Sequence, residues 1–74
     1  MTTRSTITFS ALIRKVQKLG FRKLRQKGSH IRFVHPDGRK TTIPDHGGSD
    51  VPKGLLIKIV RHDLDMELSD FWNK

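Results

Sequence analysis

The apolar side chains of this chain change their period twice, and this limits the possible folds more than any other feature. In "FSALIRKVQKLGF" (9–21), Leu12, Ile13, Val16 and Leu19 follow the i, i+1, i+4, i+7 spacing of one helical stripe, while Arg14, Lys15, Gln17 and Lys18 take the other face. In "SHIRFVH" (29–35) the period falls to two, so Ile31 and Phe33 point one way and His30, Arg32 and Val34 the other. In "VPKGLLIKIVRHDL" (51–64) helical spacing returns through Leu55, Leu56, Ile59, Val60 and Leu64.

Turn chemistry divides these segments. Ser10 is a candidate N-cap for the first helix, and Gly20 can stop it in a left-handed conformation. Phe9 and Phe21 bracket it and are expected to pack beneath its ends. "FRKLRQK" (21–27) reads as a strand despite its charge, and Gly28 turns it into "SHIRFVH". Pro-Asp-Gly at 36–38 marks a second turn, into "RKTTIP" (39–44), where Ile43 faces inward and Pro44 ends the strand or sits at its edge. "DHGGSD" (45–50) reads as a flexible loop, and the second helix is expected to start near Ser49 or Asp50 with Pro52 in its first turn. "DMELSDFW" (65–72) reads as a short terminal helix or turn, with Met66, Phe71 and Trp72 available to close the core.

The order helix, three strands, helix predicts an α+β fold. A three-stranded antiparallel sheet would carry two main helices on one face, and its other face would stay open with His30 and Arg32 on it. A chain of 74 residues makes one domain, spanning 1–74, with a core of about a dozen side chains. It has no cysteine, so packing alone, or packing with a partner, must hold it together. No apolar run approaches the roughly 18–20 residues of a membrane span, and "MTTRSTITF" lacks a secretory apolar stretch. A cytoplasmic location without membrane attachment is the expectation.

Charge is unevenly placed. Of the net +8, residues 1–40 contribute eleven Lys and Arg against one acid, Asp37, whereas residues 41–74 hold four cations against six acids. Such a field attracts phosphates or an acidic protein, although a basic surface also serves plain solubility. No metal site is expected. His30 and His35 are an odd number of residues apart on one strand and so face opposite ways, and His46 with Asp50 is a weak pair. Gly47 and Gly48 lack the Gly-Lys-Ser/Thr signature of a phosphate loop.

"LGF" (19–21), "RQKGSH" (25–30), "PDGR" (36–39), "IPDH" (43–46) and "KGLLIKI" (53–59) together make the chain resemble the HicA-type toxins, the small RNA-cleaving partners of HicB-type antitoxins in prokaryotic toxin–antitoxin pairs. Gly-Ser-His after Arg-Gln-Lys is the most specific part. The Gly-rich loop with Pro52 before Lys53, and the tail "DMELSDFWNK", depart from the pattern. The resemblance implies a double-stranded-RNA-binding-domain-like fold, an mRNA interferase activity and His30 as the catalytic residue. It also implies an acidic HicB-type antitoxin that masks His30.

The residues suggest how such a site would work. RNA carries a 2′-hydroxyl that can attack its own adjacent phosphorus once a base takes its proton. A neutral imidazole is a suitable base at pH 7. Arg22, Lys23, Arg25, Lys27 and Arg32 are candidate RNA-binding cations, and an Arg can stabilise the charge developing on phosphorus. Gly28 would allow close backbone approach, and Ser29 would donate to a phosphate oxygen. Cleavage would need no metal or cofactor and would leave a 2′,3′-cyclic phosphate and a 5′-hydroxyl. One base contributes about 10²–10⁴-fold, so a slow ribonuclease is expected; His35 and His46 are candidates for a second proton-transfer group. Two other readings compete: a basic RNA-binding module that does not cut, and a protein whose charge serves only association with another protein.

Overall fold

The computed structural model describes residues 6–73. Its elements are α1 (Phe9–Lys18), β1 (Arg22–Lys27), β2 (His30–Val34), β3 (Lys40–Pro44), α2 (Lys53–Lys58, continuing as a π-helical stretch Ile59–Asp63) and α3 (Leu68–Asn73). The strands form one antiparallel sheet in the order β1-β2-β3. This is the α+β, α-β-β-β-α arrangement expected from the apolar periods, with a short C-terminal helix added.

The core lies between the sheet and the helices. Ile31 and Phe33 of β2 and Ile43 of β3 are buried against Leu12 and Val16 of α1, Leu56, Ile59 and Val60 of α2, then Leu64 and Phe71. Burying each such aliphatic or aromatic side chain contributes about 1.5–3 kcal/mol. Thr41 is the one buried polar side chain among the described residues, and its hydroxyl donates to Asp63 Oδ2 at 2.9 Å, tying sheet to helix. Phe71 closes the core from α3, with Met66 and Trp72 half-buried beside it.

The ends of α1 show how local signals were used. Thr8, not Ser10, is the N-cap: its hydroxyl accepts from Ala11 N–H at 3.1 Å. The residue before the cap, Ile7, and the fourth residue of the helix, Leu12, are both buried, which is the arrangement of a hydrophobic staple. Capping at Ser10 would shift that pair. The free amides of Phe9 and Ser10 donate to the carbonyls of Ser49 and Gly47, both at 3.0 Å. Residues 45–50 are therefore not a loose loop but the lid on the N-terminus of α1, further pinned by Val51 N–H to Ile7 O at 2.8 Å. At the other end Gly20 has φ +103°, Gly20 N–H donates to Gln17 O and Phe21 N–H to Val16 O, which is a Schellman stop.

Helix α2 also starts differently from expectation. Pro52 is the N-cap, with extended backbone and no side-chain cap, and its carbonyl accepts from Leu56 N–H at 2.9 Å. Ser49 and Asp50 are engaged with α1 and Thr8 instead. In the π-helical stretch Leu64 N–H reaches back five residues to Ile59 O at 2.8 Å, and the helix then ends at Asp65, the one described non-glycine residue with positive φ (54°).

Helices α1 and α2 pack over β3 and the core side of β2, whereas β1 packs substantially only on β2. All six residues of β1 are exposed. This edge strand thus projects past the helical layer with both faces in solvent.

Candidate functional site

The side of the sheet away from the helices is built by strand alternation. Directly paired residues share a face, so the open face reads in three rows: Lys27, His30 and Pro44; Arg25, Arg32 and Thr42; Arg22, Val34 and Lys40. The strands contain no acidic residue. A histidine and five cations therefore share one wet surface with no carboxylate between them. Two positive side chains in one row repel, so this arrangement is tolerated where water or an anion screens them.

Gly28 and Ser29 form the two-residue turn that makes Lys27 and His30 partners. Gly28 has φ +61° while Ser29 does not take positive φ, the pattern of a type II′ hairpin turn. A Cβ at Gly28 would meet nothing within 4 Å, so this glycine is required by backbone conformation and not by crowding. Ser29 is half-buried, and its carbonyl accepts from Asp45 N–H at 2.6 Å, which closes the sheet beside His30.

His30 is exposed at the first position of β2. Arg32, half-buried, is held by its guanidinium donating to Thr42 Oγ1 at 3.0 Å. Arg22, Arg25 and Lys27 extend into solvent from β1. Lys23 lies elsewhere. The ladder slips by one residue at Leu24, so Lys23 pairs with Phe33 on the helix side of the sheet, where its ammonium donates to Gln26 Oε1 at 2.8 Å. The same slip brings Arg22 onto the open face and leaves Leu24 outside the pairing, 57 % exposed. Lys40, which sequence reading passed over, completes the basic surface. The alternation counted back from Ile43 was the signal that could have found it.

Of the remaining histidines, His35 is remote from His30. His35 follows the far end of β2, about 16 Å along the strand at ~3.3 Å per residue. Its Nε2 faces Leu19 O at 3.2 Å, its Nδ1 accepts from Asp37 N–H at 3.1 Å, and its ring meets Phe21 edge-on. His46 packs edge-on against Phe9 with ring centroids 5.0 Å apart. His62 is exposed in the π-helical stretch. No group of three or more His, Cys, Asp or Glu side chains lies close enough to hold a metal ion among the described residues.

The "PDGR" segment is a structural joint. Arg39 pairs with Asp37 at 2.8 Å, donates to Leu64 O at the end of α2, and lies 5.2 Å from the centre of the Phe21 ring. Asp37 holds its charge readily. The Arg39 amide hydrogen bond, then the Arg39 guanidinium and His35, keep its carboxyl below the ordinary 3.8.

A family model described as the HicA toxin of bacterial toxin–antitoxin matches residues 9–64. The chain belongs to this family. The matched span runs from the first residue of α1 to the end of α2, and so takes in the Gly-Ser-His turn, the "PDGR" joint and all three strands; α3 lies outside it. No curated protein matches the chain. Among the described residues of this HicA-family chain, no helix is long and apolar enough to cross a membrane.

Proposed function

We propose that this toxin-family domain is an mRNA interferase, a metal-independent endoribonuclease with His30 as its base, and that an acidic HicB-type antitoxin silences it in the cytoplasm by covering the open face. The observation that carries the reading is the placement of His30: exposed, on the one sheet face that bears Arg22, Arg25, Lys27, Arg32 and Lys40 and no acid. An RNA backbone lying on this surface meets cations in every row, and the attraction is largely independent of base sequence.

The chemistry uses the substrate's own nucleophile. Neutral His30 takes the 2′-hydroxyl proton, the 2′-oxygen bonds to phosphorus, and the bond from phosphorus to the 5′-oxygen breaks. Arg25 and Arg32, in the adjacent row, stabilise the extra negative charge on the phosphoryl oxygens. Because the strands offer no carboxylates to hold a divalent cation, cleavage is expected to survive chelators. An antitoxin with an acidic surface associates fast and salt-sensitively with such a face.

The test is expression of wild type and His30→Ala, followed by RNA analysis and binding. Loss of growth arrest and cleavage with RNA binding retained supports the enzyme. Wild type that binds RNA and never cuts it establishes the non-catalytic module instead. Products ending in a 3′-hydroxyl contradict the 2′-hydroxyl route. A complex in which the antitoxin leaves His30 open contradicts the masking.

A further inference from the structure

Cleavage by a 2′-hydroxyl needs two proton movements, one off the attacking oxygen and one onto the departing 5′-oxygen. His30 accounts for the first. Two of the other histidines are badly placed for the second. His35 is committed to Leu19 and Asp37 at the far end of β2, and His62 lies on the π-helical stretch, while His46, two residues beyond Pro44, sets its ring edge-on against Phe9.

The row that contains His30 narrows the choice. It reads Lys27, His30, Pro44, so the imidazole has an ammonium on one side and an apolar ring on the other. The type II′ turn at Gly28-Ser29 forces this pairing, and directly paired side chains start about 4.5–5.5 Å apart at Cβ. Lys27 is exposed, and among the described residues its ammonium makes no ion pair or hydrogen bond. The neighbouring row offers Arg25 and Arg32, but a guanidinium keeps its proton at any accessible pH, whereas an ammonium can give one up.

We propose that Lys27 is a catalytic residue, the general acid opposite His30. This assignment rests on the reading of His30 as the base. As the 2′-oxygen bonds to phosphorus and its proton passes to His30, the phosphorus–5′-oxygen bond breaks. The electron pair stays on the 5′-oxygen, which takes a proton from Lys27 Nζ. The products are a 2′,3′-cyclic phosphate and a 5′-hydroxyl. The imidazolium and the neutral amine then return to their starting forms by exchanging a proton directly or through water, with no other reactant.

A leaving-group substitution tests it. Two oligoribonucleotides are compared at saturating protein, one with the ordinary scissile 5′-oxygen and one with sulfur in that position, because a thiolate departs without needing a proton. Lys27→Ala is expected to slow the oxygen substrate by about 10²-fold or more and the sulfur substrate by less than about tenfold. Lys27→Arg, which keeps the charge but not the donor, should show the same oxygen-specific loss with RNA affinity retained. His30→Ala should fail on both. Equal losses on both substrates, or a saturated rate unchanged by Lys27→Ala, would overturn the assignment and leave Lys27 as a phosphate contact. The two readings fail separately: wild type that cuts neither substrate removes the His30 reading, while His30-dependent cutting indifferent to Lys27 removes only the acid. Melting temperatures of both Lys27 variants, expected to match wild type for an exposed side chain, guard against misfolding.

Discussion

The Gly28-Ser29 turn at one end of β2 presents His30, Lys27 and Arg25 to solvent, whereas the 35–39 turn at the other end closes His35, Asp37 and Arg39 into contacts with Leu19, Phe21 and Leu64. In sequence the two look alike: a histidine, a glycine turn and cations. In space, the second turn spends its polar groups on its own protein, and the first keeps them available. Family motifs of the same appearance thus divide into one whose polar groups stay open to solvent and one whose polar groups are held by the protein itself. The test that separates them is whether each polar atom already has a partner.

Paired substitutions should break or confirm that contrast. The largest effect is expected from His30→Ala against Arg39→Ala. The first should lower RNA cleavage by about 10²–10⁴-fold and leave the urea midpoint nearly unchanged. The second removes the guanidinium's part-buried bond to the Leu64 carbonyl and should cost about 1.5–3 kcal/mol in urea unfolding, while folded molecules keep their cleavage rate. A cleavage defect from Arg39→Ala in fully folded protein would erase the distinction.

Next come the glycines of the two regions. Gly20 has φ +103° and a Cβ there would fall 2.8 Å from His35 Nε2, so Gly20→Ala must pay in both backbone strain and displacement of the His35 ring, about 1–3 kcal/mol. Gly28 has φ +61° and open space, so Gly28→Ala should cost the conformational part alone, about 1–3 kcal/mol at the first central position of a type II′ turn. Thermal unfolding measures both, and a loss on Gly20→Ala that is the same with His35 truncated to Ala as with His35 intact would show that the ring contact adds nothing.

The two faces of β1 can be compared through salt. Arg25→Ala is expected to flatten the dependence of log RNA affinity on log salt by about 1, because a phosphate contact is lost. Lys23→Ala, on the helix side of the sheet, should change it less. Filter binding across a salt series reads both, and equal slopes would mean that RNA wraps the edge strand instead of lying on one face.

The smallest effect concerns acid. The folded state holds the Asp37 carboxyl below its ordinary 3.8, so this group adds stability above that pH, and the contribution is lost as pH falls from there through the lower folded value. Asp37→Asn should therefore narrow the stability gap to wild type as urea midpoints are followed downward through this window. A gap that stays constant would place the role of Asp37 in geometry and not in charge.

Much of the fold was legible because burial follows period: the stripe from Leu12 to Leu19 made α1, the alternation at Ile31 and Phe33 made β2, and Gly20 stopped the first helix as its position indicated. The open face of β2, with His30 and Arg32 on it, followed from the same count. The N-cap of α1 was not legible. Thr8 and Ser10 are comparable caps, and the choice was made by Ile7, Leu12 and carbonyls some forty residues onward, at Gly47 and Ser49. Nor was the side taken by Lys23, since β1 has no apolar alternation and the slip at Leu24 appears only in its pairing with β2.

The residue sequence by itself determined the element order, the basic half of the molecule and the Gly-Ser-His turn, because periodicity, charge and the positive φ of a turn glycine are local properties. Tertiary structure alone decided which cations stand beside His30 and which histidine is locked. Both depend on strand register and on hydrogen-bond partners distant in the chain, and no local preference encodes those.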